Sequence, residues 1–164
     1  LIYASDHPFM ISAFLHARSV AEIQDTDCYF ITLEPNGSQT RGNVSRAEIP
    51  AVKQLQFLHD CFGILALARG TGGQRAQLSG RMRIDYWNRL LKLHIPQLIL
   101  RKDEQDAAAI TDLASRASAL AELYGARTSR VQLIDGAQQM LSALQSEDAA
   151  VIYEAAQRIR SPEI

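Results

Sequence analysis

The chain has 164 residues, 17 basic against 18 acidic side chains, a net charge of −1 and an apolar fraction of 47%. This composition fits one globular domain that buries its own core, and it excludes a disordered, fibrous or strongly polyionic chain. No apolar run reaches the ~20 residues a membrane helix needs, and Cys28 and Cys61 lack metal-ligand spacing.

The first residues begin at Leu1 rather than Met and carry no basic-then-apolar leader. The expectation is a cytoplasmic protein that needs no membrane, metal or cofactor. Ser5 or Asp6 can cap a short helix from Pro8 to Ala17, with Phe9, Met10, Phe14 and Leu15 as its apolar side. Cys28 to Leu33 is rich in aromatic and β-branched residues, Glu34 to Gly37 reads as a turn, and Ser38 to Val44 can return. The expected fold class is therefore mostly α, a helical bundle with a small N-terminal β-hairpin. Residues 1–48 form a mixed appendage and residues 49–164 a helical domain.

From Pro50 the period becomes helical. Val52, Leu55, Leu58, Phe62 and Leu65 form one stripe, with Phe57, Cys61 and Ile64 a second, until the Gly-rich stop at 70–73. Two short helices are expected next, Gln74 to Met82 and Asp85 to Leu93, with Ile84 between them. Pro96 ends or kinks this run because it has no N–H to donate. Ala107 to Tyr124 then reads as a helix stopped by Gly125. Val131, Ile134, Ala137, Met140, Leu141 and Leu144 form a further apolar face, and Ser146 to Asp148 cap a last helix toward Arg160.

The charge is unevenly placed. Between Arg69 and Lys102 eight basic residues face Asp85 alone, a local +7 that leaves −8 for the rest. Two short helices joined near Arg83 suggest a helix-turn-helix-like unit. Arg75, Arg81, Arg83, Tyr86, Trp87, Asn88, Arg89 and Lys92 are the candidate nucleic-acid contacts, with Arg81, Arg83, Asn88, Arg89 and Lys92 free for phosphates and base edges.

The stretches Leu65-Ala-Leu-Ala-Arg69, Arg81-Met-Arg-Ile-Asp85 and Leu90-Leu-Lys-Leu-His-Ile-Pro-Gln97 resemble, in the same order, motifs of the smaller subunit of the flagellar master transcriptional activator and its conjugative-element relatives. Arg83 stands where that family has glycine, the spacing before Pro96 is shorter, and only Arg81 lies on a matching motif position. The resemblance implies an all-helical promoter-binding regulator acting with a larger partner subunit or as an oligomer, with DNA contacts near Arg81, Arg83 and Arg89.

Two other readings stand beside DNA binding. Ala-rich helices without a catalytic constellation suit a protein-interaction or adaptor domain with no nucleic-acid role. Arg89-Leu-Leu-Lys-Leu-His94 is similar to the Arg-x4-His spacing of HEPN ribonucleases, where His exchanges protons and Arg steadies phosphorane charge. The glycines at 70–73 follow a helix and lack the Lys-Ser/Thr of a phosphate loop, so they read as a connector.

Overall fold

The computed structural model describes residues 6–18, 50–70 and 72–161. Its elements, in order, are α1 (Asp6–His16), α2 (Ala51–Arg69), α3 (Gly73–Arg89), a π turn (Leu90–His94), α4 (Ile95–Leu100), α5 (Ala107–Leu123), a 3-10 turn (Arg130–Gln132), α6 (Asp135–Ala143) and α7 (Ala149–Arg160). Among the described residues there is no strand. The expected β-hairpin is thereby withdrawn from the fold class, which is all-α over the described residues. Residues 28–44, on which the hairpin was placed, lie outside them.

The second correction concerns the basic segment. Gln74 to Leu93 is not two short helices: α3 runs unbroken through Arg83 and Ile84 into the π turn and α4. No Pro interrupts 74–95, and a single Gly80 costs a helix only about 1 kcal/mol, less than tertiary packing returns. The family-like Arg81-Met-Arg-Ile-Asp85 stretch is therefore helix, not turn.

The interruption comes at Pro96. A proline in a helix removes the bond to the carbonyl four residues back and crowds that carbonyl. Here the turn just before it widens, and Ile95 N–H donates to the Leu90 carbonyl five residues back. The chain thus continues as helix past the proline and does not end there, with the widened turn as the disturbance before it.

Two layers position these elements. α2 packs along α3 and receives α1, while α7 packs on α4, α5 and α6. Leu55, Phe57, Leu58, Cys61, Phe62 and Leu65 of α2 are all buried, so two of its sides face the core. In α5 the buried Ile110, Leu113, Ala114, Ala117, Leu120 and Ala121 follow the 3.6-residue period. Asp106 caps its start by accepting from Ala109 N–H at 3.0 Å. Its end is a Schellman motif: Ala126 N–H reaches Ala121 O at 2.8 Å and Gly125 N–H reaches Glu122 O at 3.3 Å. Gly125 sits at φ +72°, which suits glycine and strains other residues.

Asp148 caps α7 by accepting from Ala150 and Val151 N–H. Of the apolar face expected at 131–144, Ala137, Met140, Leu141 and Leu144 are buried, whereas Val131 and Ile134 are exposed. Both outer residues precede α6, in the 3-10 turn and at its N-cap, so they fall off its helical period.

Candidate functional site

The basic segment divides into side chains that hold the fold and side chains that face solvent. Trp87 is 1% exposed and stacks on Phe62, with ring centroids 4.3 Å apart. Phe62 in turn stacks on Tyr124 at 5.1 Å. The Tyr124 carbonyl, left open at the end of α5, accepts from Trp87 Nε1 at 3.4 Å and from Arg83 Nη1 at 3.2 Å. A cation there completes a helix C-terminus, whose partial charge is negative. Arg83 Nη2 also donates to Ser129 Oγ at 3.2 Å. Burial, and then the charge of Arg69, pull the Arg83 pKa below its usual value. Asn88 Oδ1 accepts from Ile134 N–H at 3.0 Å and so fixes the start of α6. Arg83, Trp87 and Asn88 thus each hold a contact within the fold.

Arg75, Arg81, Arg89 and Lys92 are exposed. The ion pairs among the described residues lie elsewhere, at His59–Asp60, Asp112–Arg116, Glu122–Arg127 and Glu154–Arg158. Acids of the C-terminal helices therefore leave these four cations unpaired. Arg81, Asp85 and Arg89 lie at i, i+4 and i+8 along one line, whereas Arg75, six residues before Arg81, is turned about 120° from it. Lys92 lies in the π turn with its stem beside Gly136 of α6. The stretch from Arg75 to Lys92 spans about 25 Å at about 1.5 Å per residue. Asp85 is the one acid within it.

Tyr86 is half-buried and belongs to a second constellation, one that residue order alone would not assemble. Its hydroxyl lies 3.2 Å from His7 Nδ1 of α1. The His7 ring lies 5.8 Å from that of His94, centroid to centroid. Arg89 Nε donates to His94 Nε2 at 3.4 Å, a long hydrogen bond. Arg cannot accept, so Nε2 is the acceptor and His94 is the neutral Nδ1–H tautomer. Burial, then His7, then Arg89 push the His94 pKa down to about 4.

His7, Tyr86 and Arg89 open into a groove of about 890 Å³ between α1 and α3, whose walls include Met10, Phe14, Leu78 and Met82. The expected Arg89–His94 pair does meet in space, although the His94 lone pair that would abstract a proton is held by Arg89. Sequence spacing did not single out His7, because its partners lie on distant turns of α3 and the π turn.

Among the described residues no three His, Cys, Asp or Glu side chains converge as a metal set, and no helix is long and apolar enough to cross a membrane. No protein-family model matches the chain, and neither a curated protein nor a solved structure matches it.

Proposed function

We propose that the chain is a nucleic-acid-binding helical module, acting on DNA as a regulator or accessory subunit, alone as an oligomer or with a larger partner. One observation carries this: Arg75, Arg81, Arg89 and Lys92 stand exposed on a single continuous helical run and make no ion pair with an acid among the described residues. Unpaired cations spaced along a rigid rod suit the repeating charge of a phosphate backbone, and their binding energy comes from counterion release. Loss of the short two-helix unit removes the case for base readout by a recognition helix. Backbone contact is then the leading mode.

The test is fluorescence anisotropy of a labelled random DNA duplex and of a labelled single strand, at low and at moderate salt. Binding should weaken steeply with salt, and Arg75→Glu/Arg81→Glu should weaken it at least tenfold while the far-ultraviolet circular dichroism is unchanged. Absence of binding to either probe at low salt overturns the proposal.

A protein-interaction role is the second reading, favoured by the exposed Met10, Phe14 and Leu78 on the α1–α3 groove and by Phe9, exposed on α1. It predicts self-association that Phe9→Ser removes, measured by sedimentation; a monomer at every concentration contradicts it.

A further inference from the structure

The widened turn that Pro96 imposes begins directly after Arg89 and changes which way the side chains on it point. In an α-helix, residues five apart point about 140° away from each other. A turn with i→i+5 bonding brings them onto one side, and such turns cluster at functional positions. Arg89 and His94 are related in this way. The π turn therefore brings the His94 imidazole to Arg89 and His7, which line the groove, while His94 lies behind them.

We propose that this junction binds the phosphate of a nucleotide, with Arg89 as the fixed cation, His94 and His7 as protonatable donors, and the apolar wall of the groove seating the base. The same phosphate chemistry is presented by a free mononucleotide and by one unit of a single strand. The single-strand form rests on the nucleic-acid function proposed above; the phosphate site does not.

Three features carry the assignment. The first is charge: Arg89 has no ion pair among the described residues, and Asp85, one turn earlier on the same groove, makes none with it. Arg is the side chain that grips phosphate through two parallel N–H donors. The second is proton balance. When Arg89 turns to the phosphate it frees His94 Nε2, and although burial contributes most to keeping this imidazole neutral, an anion offsets the further contributions of His7 and Arg89. Nε2 can then take up a proton from solvent and donate it in a hydrogen bond to the phosphate. His7 and Arg89 are the charged groups that act on His94; α6 and α7, packed behind the π turn, add none. Tyr86 holds His7 through Nδ1, and Arg18 stands at the end of α1 on the groove wall.

The third feature is shape. The groove, at about 890 Å³, is in the range of small-molecule sites. Phe14, Met82 and Leu78 line it beside the cations, and bases stack on an aromatic face such as that of Phe14 without regard to sequence. A base seated there cannot be paired, so the site selects a free nucleotide or a single strand over a duplex.

The experiment is nuclear magnetic resonance of the protein labelled with 13C-histidine. It is titrated in turn with inorganic phosphate, a 5′-mononucleotide and a short single-stranded oligonucleotide, each over a range of pH. The His7 and His94 resonances should shift saturably while those of His16 and His59 stay in place. Saturating ligand should raise the His94 pKa by about one unit or more, a tenfold coupling between proton and ligand. The mononucleotide should bind at least tenfold more tightly than phosphate, and Phe14→Ser should erase that difference. Arg89→Gln should abolish the shifts with the dichroism unchanged, whereas Arg158→Gln, which removes a remote charge, should not.

Failure of phosphate and mononucleotide to move His94, or equal shifts in Arg89→Gln, overturns the site. An oligonucleotide that binds without moving His94 also overturns it, while leaving nucleic-acid binding intact. A mononucleotide that moves His94 when no oligonucleotide binds supports the site and refutes the polymer function.

Discussion

Gly125 ties the end of α5 to α3, and Gly125→Ala should expose how strongly. Two costs combine. The residue sits at φ +72°, where an L side chain is disfavoured by roughly 1–2 kcal/mol. A Cβ there would also lie 2.7 Å from Arg83 Nη1 and 3.1 Å from Thr128 Oγ1. The guanidinium is flexible and can retreat, but in retreating it loosens its bond to the Tyr124 carbonyl, a charge-assisted contact worth about 1–2 kcal/mol at a partly exposed site. The expected total is about 2–3 kcal/mol.

Urea denaturation should register it as a lower midpoint with unchanged slope. In an Arg83→Met background no guanidinium remains to be displaced, so Gly125→Ala should cost only the backbone term, about 1–2 kcal/mol. The coupling in this double-mutant cycle should be about 1 kcal/mol. Equal costs in the two backgrounds, or a single-variant cost below about 0.5 kcal/mol, would refute the steric link between Arg83 and the α5 terminus.

Further outcomes follow from the core, the caps and the buried imidazole. Phe62→Ala removes the ring between Trp87 and Tyr124 and should cost about 3–5 kcal/mol, read by urea denaturation and by loss of near-ultraviolet dichroism. Asp148→Ala should cost about 1 kcal/mol through loss of the α7 cap, and Asp148→Asn should restore most of it in the same denaturation assay. Burial first, then His7 and Arg89, hold His94 neutral down to a pKa of about 4, so the unfolded chain binds its proton at a higher pH than the native state does. The resulting stability is present above about pH 6.5 and is lost as pH falls toward 4. After allowance for partial exposure the wild type should lose about 1 kcal/mol more than His94→Gln between pH 7 and 5 in phosphate-free buffer; parallel pH profiles would contradict this.

Local signals made α2, α5 and α7 legible in the sequence. α5 has an apolar 3.6-residue period, Asp106 at its start and Gly125 at its end, and each of these acts within a few residues. The basic segment was read differently from its structure because its deciding partners are remote. Arg83 and Trp87 are drawn inward by the Tyr124 carbonyl, 41 and 37 residues away, and nothing near position 83 announces it. Residue chemistry did offer two signals. No strong breaker lies between Met82 and Asp85, which favours one helix over two, and Trp87 is large and apolar enough to expect a place in the core. The π turn has a signal too, since a proline in a continuing helix must disturb the turn before it. His7 had none, because α1 joins His94 only through tertiary packing.

The most direct test of the exposed basic stretch as a phosphate-contacting surface is the salt dependence of nucleic-acid binding by the wild type and by Arg81→Gln. If Arg81 neutralises one phosphate, the slope of log K against log salt should become shallower by about 0.9 for duplex, or about 0.7 for a single strand. Affinity should fall alike for unrelated sequences. An unchanged slope, or a loss confined to one sequence, would contradict backbone contact through this helix.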